Sequence, residues 1–182
     1  MPESDLDLLI DAARQAGEIA LYYKAKGLEV EHKPDDAGPV TQADFAVDNA
    51  LRETLTAARS DYGWLSEESD DDTARLDAER VFIIDPIDGT RAFIAGDQGF
   101  SVALAIARKG VVISAAIHLP ARDETFAATL GHGATKNGLP TSVTSADDLA
   151  KSTILAARVQ MQPDRWPGGV PPLDRHFRSS LA

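Results

Sequence analysis

Between Ser4 and about Lys26, apolar residues recur at helical spacing: Leu6, Leu9, Ile10, Ala13, Ala16, Ala20 and Leu21 share one stripe, with Ser4 placed to cap it. The pattern predicts a first helix. A short extended piece, "LEVEHK", runs into "PDDAGP", whose prolines, glycine and aspartates mark a loop. The stretch "VTQADFAVDNALRETLTAAR" then predicts a second helix, with Val47, Ala50, Leu51, Thr54, Leu55 and Ala58 turned inward. Thr41 fits its N-cap, Asp44 falls at the third helical position, and Val40 and Phe45 are spaced as a hydrophobic staple.

Beyond this helix the period changes from 3.6 to 2. "YGWLSEESDDDTARLDAER" carries a short apolar run and an acidic loop, and residues 81–84 read as a buried strand. "FSVALAIARKGVVISAAIHLPARDETFAATLGHGATKNGLP" predicts an antiparallel meander with turns at Lys109–Gly110, Pro120–Asp123 and Asn137–Gly138. "STILAARV" reads as one more strand, "QPDRWPGGVPPLD" as a loop, and "RHFRSSLA" as the start of a helix without a body. The expected class is α+β: residues 1–150 form an N-terminal half of helices on an antiparallel sheet, and residues 151–182 begin a second α/β half that is incomplete.

Composition narrows the function classes. A 182-residue chain with 43 % hydrophobic and 26 % charged residues is an ordinary globular protein. Its net charge of −11 repels polyanions and anionic membranes, so neither a nucleic acid polymer nor a membrane is an expected partner. A small anionic substrate requires a local cation. There are no cysteines, which excludes disulfides, thiolate zinc sites and cysteine nucleophiles. The acidic N-terminus is unlike a signal peptide, no run approaches the ~20 apolar residues of a membrane span, and a cytoplasmic location is expected.

Candidate chemistry gathers at element ends. In "VFIIDPIDGTRAF" a buried strand surfaces on Asp85 and Asp88, separated by Pro86, which has no backbone donor, and Ile87. Asp44 and Glu67 lie beside other element ends. Oxygen-only ligands, carboxylates with a backbone carbonyl, suit a hard cation such as Mg²⁺, and the scattered histidines have no zinc spacing. Gly89 and Thr90 follow where "TRAFIA" can start a helix, an arrangement that receives phosphate oxygens. Plainer readings stand beside these. Asp44 alone suits a capping carboxylate, Glu67 an acidic loop with Asp70, Asp71 and Asp72, and "DG" a turn. An aspartyl-phosphate mechanism of the haloacid dehalogenase kind places one residue between its aspartates, where this chain places two.

In order, "GPVTQAD", "WLSEES", "VFIIDPIDGTRAF" and "GFSVALAIARKG" resemble the metal-site motifs and following strand of the inositol monophosphatase superfamily. The resemblance implies a layered α/β sandwich and Mg²⁺-dependent hydrolysis of a small phosphorylated metabolite by metal-activated water. It implies metal ligation by Glu67, Asp85, the Ile87 carbonyl and Asp88. Substrate contact falls to Asp88, Gly89 and Thr90, and catalysis to Glu67 and Thr90, which orient the water, with Asp44 holding Thr90. "DGTRAFI" is closer to the "DGTKEF" of bacterial 3'(2'),5'-bisphosphate nucleotidases than to the "DGTTNF" of inositol monophosphatases, and "FRSSLA" is similar to their "GSSLK" with Arg178 in place of glycine. A nucleotidase is therefore the first expectation, while inositol phosphate and histidinol phosphate stay open, as does a homodimer. The family's later "WDxAA" motif, whose aspartate completes a metal site, has no counterpart before Ala182. A truncated chain of this kind is expected to expose an apolar face, and an inactive metal- or phosphate-binding fragment is the reading from another class.

Overall fold

A computed structural model describes residues 4–34, 38–145 and 147. By its contacts the chain divides into Met1–Ser142 and Val143–Ala182, and all of the described helices and strands lie in the first unit. The strand, loop and helix start expected after residue 151, with Arg178, lie outside the described residues.

Helix α1 spans Asp5–Lys26. Ser4 caps it by accepting from the Asp7 amide at 3.1 Å, with Asp5 and Asp7 at the positive end of its dipole and Lys24 and Lys26 at the negative end. Its buried face is built mainly from small residues: Ala12, Ala13, Ala16, Gly17 and Ala20 beside Leu8 and Leu9. Leu21, expected inside, is exposed. Close approach is the reason for the small residues. A Cβ on Gly17 would lie 2.7 Å from His118 Cδ2 and 2.8 Å from Pro120 Cγ. Gly17→Ala is therefore expected to destabilise the protein by about 1–3 kcal/mol in urea titration, although the same change in an open helix gains about 1 kcal/mol.

Helix α2 spans Gln42–Ala58 and opens with the predicted capping box between Thr41 and Asp44. Val47, Leu51 and Leu55 point into the core as the periodicity predicts. Thr54 and Ala58 are exposed instead, and the inner face takes in Asp44 and Asp48. Both are acids that a hydrophobicity pattern rejects.

Strands β1 (Val30–His32) and β2 (Pro39–Thr41) form an antiparallel pair. The main sheet contains β3 (Gly63–Ser66), β4 (Arg80–Asp88), β5 (Ser101–Arg108), β6 (Val111–Leu119), β7 (Glu124–Thr129), β8 (Ala134–Lys136) and β9 (Leu139–Thr141), neighbours in chain order. From β4 onward every pairing is antiparallel, the expected meander. Its turns fall where predicted, with Lys109, Asp123 and Asn137 in the left-handed region. β3 and β4 instead run parallel, joined through the acidic loop and a 3₁₀ turn at Thr73–Leu76. Short helix α3, Thr90–Ala95, follows β4.

The two long helices cover one face of the sheet, over Phe82, Ile84, Val102, Leu104, Ile106 and Ala116. On the other face Ile83, Ile117 and Phe126 are exposed. A cavity of ≈ 420 Å³ runs along that face between Leu65, Ala103, Ala115 and Ile117, with Glu67 and Asp85 in its wall. Among the described residues, no helix is long and apolar enough to cross a membrane. His118 is a packing residue, hydrogen-bonded through Nδ1 to Thr125 at 3.0 Å, and burial pushes its pKa down.

Candidate active site

Parallel pairing decides where the acids emerge. Ser66 is in register with Ile84, so Glu67 and Asp85 leave adjacent strands side by side, and the Glu67 amide donates to the Ile84 carbonyl at 3.2 Å. The apolar pattern ends this strand at residue 84, yet β4 continues to Asp88. Asp85 still pairs with Ala103, the register then shifts, and Asp88 meets Ser101. Pro86 cannot donate to the ladder, which makes this the natural place for the irregularity. Ile87 is buried, while Asp88 is exposed and accepts from Ser101 Oγ at 3.4 Å.

Gly89 follows with φ 87° and ψ 39°, capping α3. A Cβ there would come within 3.0 Å of the Gly99 carbonyl oxygen. Glycine is required by that conformation and by that neighbour. Thr90 donates its hydroxyl to the Ile87 carbonyl at 3.1 Å. Asp44 does not hold Thr90 in this structure. Its Oδ2 accepts from the Thr41 amide at 2.8 Å and the Thr41 hydroxyl at 2.7 Å, and its fully buried Oδ1 has no hydrogen-bond partner.

Asp85 feels all the surrounding acids. Burial and then the charges of Glu67, Asp88, Glu68 and Asp44 push its pKa up to about 7. Burial also raises Asp44, against the Thr41 hydrogen bonds and the Lys33 charge, and raises Glu68 against its bond to Lys33. Burial pulls the Lys33 ammonium down, but its hydrogen bonds to Glu68 and Glu67 pull it above its ordinary value. Asp70 and Asp72 remain exposed, and Asp71 pairs with Arg75 at 2.6 Å, so the solvated-loop reading describes these three.

Four residues of this region escape sequence reasoning. Lys33 and Glu68 form an ion pair at 2.7 Å. Asp48, buried one turn beyond Asp44, accepts from Ser66 Oγ, which in turn accepts from the Glu68 amide at 3.2 Å, fixing the turn that carries both glutamates. The one sequence signal for Asp48 is its helical spacing from Asp44.

The inositol monophosphatase family model matches residues 1–168. The chain belongs to the inositol monophosphatase family. It is 36 % identical over 152 residues to a histidinol-phosphatase of Chlorobaculum parvum, covering 83 % of this chain and 58 % of that protein. It is 34 % identical over 134 residues to an inositol-1-monophosphatase of Rhizobium meliloti, covering 72 % and 50 %. The solved structure of a Thermotoga maritima IMPase superposes with a TM-score of 0.71 at 31 % identity, over 77 % of this chain and 54 % of that one. The chain thus spans about half the length of the family members it matches.

The residues present suit a hard cation. The donor set is all oxygen, a carboxylate oxygen of Asp44 is buried without a partner, and burial together with the neighbouring carboxylates raises the Asp85 pKa, a shift that a bound cation would oppose. Among the described residues, no three acidic or imidazole groups already stand as a cage. Two reasons are visible: Glu67 is turned to Lys33 at 3.2 Å and Asp88 to Ser101.

Proposed function

We propose that the chain is the first half, residues 1–150, and the beginning of the second, residues 151–182, of a Mg²⁺-dependent phosphomonoesterase acting on a small phosphorylated metabolite. The observation that carries this reading is the parallel register of β3 and β4, which delivers Glu67 and Asp85 side by side, with Asp88 three residues further on at the end of β4. Such crowding costs stability unless positive charge enters. Glu67, Asp85, Asp88 and the Ile87 carbonyl would hold the cation, which would supply a lowered pKa for water and stabilisation of a leaving oxygen. Glu67 would accept a hydrogen bond from the attacking water, and the Thr90 hydroxyl would orient it. The Gly89 and Thr90 amides receive phosphate oxygens. Asp44 acts one step removed, by fixing the end of α2 through Thr41.

The histidinol-phosphatase and inositol-1-monophosphatase relatives favour histidinol phosphate and inositol 1-phosphate as substrates. "DGTRAF" supports a second reading, a 3'(2'),5'-bisphosphate nucleotidase. Phosphate release from histidinol phosphate, inositol 1-phosphate and adenosine 3',5'-bisphosphate, with and without Mg²⁺, tests both. Turnover of one of the first two above the nucleotide is expected. Mg²⁺ binding without turnover of any substrate would leave a binding fragment.

A further inference from the structure

The acidic cluster already holds one cation, and it belongs to the protein. Lys33 follows β1, and its amide donates to the Gly38 carbonyl at 2.9 Å, so the backbone carrying it is tied. Its ammonium lies 2.7 Å from Glu68 Oε1 and 3.2 Å from Glu67 Oε1, with 19 % of the side chain exposed. The two glutamates differ. The Glu68 side chain is 6 % exposed and makes the shorter contact, whereas Glu67 is 56 % exposed and makes the longer one. A buried carboxylate deprived of its counter-charge is costly, and an exposed one is not.

We infer that Lys33 is a resident counter-ion that keeps Glu68 as its lasting partner and competes with the incoming divalent cation for Glu67. The inference rests on the reading of Glu67 as a metal ligand. A carboxylate oxygen accepting from an ammonium is not free to ligate, and a positive charge a few ångströms away repels a divalent ion. In the metal-free protein the same charge offsets the repulsion among Glu67, Glu68, Asp44 and Asp85. Lys33 therefore acts in opposite directions on the two states. A merely structural ion pair would act in one, since its loss would loosen the glutamate turn and weaken metal binding as well.

The test is calorimetric Mg²⁺ titration and thermal melting of the 182-residue protein, unaltered and as Lys33→Gln and Lys33→Arg. Lys33→Gln is expected to melt lower without metal, to bind Mg²⁺ about tenfold more tightly, and to recover its melting point at saturating Mg²⁺. Lys33→Arg, which keeps the charge, is expected to bind as the unaltered protein does. Equal or weaker Mg²⁺ binding by Lys33→Gln overturns the competition and leaves the metal site standing. Absence of Mg²⁺ binding in every form overturns both. A measurement on the unaltered protein needs no variant: acetylation of Lys33, read by peptide mass spectrometry, should rise as Mg²⁺ frees it from Glu67, and labelling unchanged by Mg²⁺ also overturns the proposal.

Discussion

Asp85→Asn is expected to abolish Mg²⁺-dependent phosphate release while making the metal-free protein more stable at pH 8. Loss of outer support alone costs metal sites about 10–100-fold, so loss of a ligand should exceed a hundredfold. The stability gain stems from the raised pKa. Folding lifts the Asp85 carboxyl from its ordinary 3.8 to about 7, so between those values the folded state binds the proton more strongly than the unfolded state. Stability contributed by this group is present below pH 4 and is lost as pH rises through 7. Asparagine removes that loss, on the order of 2 kcal/mol after solvent screening at a half-buried position is allowed for. Melting curves of both forms from pH 5 to pH 8, without metal, should diverge as pH rises. Curves that stay parallel would mean that burial and the neighbouring carboxylates do not raise Asp85, and one support for the cation site would go.

Gly89→Ala carries the second large effect, and it reaches both stability and chemistry. The residue has φ 87°, where a side chain costs about 1–2 kcal/mol, and the new methyl would also press on the Gly99 carbonyl from 3.0 Å. Relief requires the turn between Asp88 and Thr90 to move. Displacement of about 1 Å costs on the order of a hundredfold in rate, so phosphate release should fall by at least that factor while Mg²⁺ affinity falls less. A variant with unaltered kcat and a lowered melting point would assign Gly89 to the fold alone.

Most of the architecture is legible in the sequence because it follows from periodicity and turn chemistry. Both long helices, their caps at Ser4 and Thr41, and the meander with its three turns stand at the predicted places. The features that escape have physical causes. The parallel pairing of β3 with β4 is a choice of partner, and a four-residue strand carries no mark of its neighbour's direction. The pattern ends the strand before Asp85 because two charges read as a surface, whereas pairing with β5 resumes at Ser101 once Pro86 has been passed. At the site, the motif locates Asp85, Asp88 and Glu67, but Lys33 stands at separations |i−j| of 34 and 35 from its partners, and a lone lysine in a loop gives no signal. Asp44 reads in two ways, and the structure shows the capping role through its bonds to Thr41. Its buried Oδ1, left without a partner, is the part that no pattern could supply.

The parallel pair has a consequence for the order of folding. Residues 44 to 88 contain every acid of the cluster, and the segments that bring them together are closer in sequence than α1 (Asp5–Lys26) and β6 (Val111–Leu119), which pack on each other. Loop-closure entropy favours the nearer connections first. Mutual repulsion is then met while the chain is still being assembled, and a cation should speed refolding as well as hold the finished protein. Stopped-flow refolding at pH 8, faster with Mg²⁺ than with the same ionic strength of NaCl, would show the barrier itself to be charged.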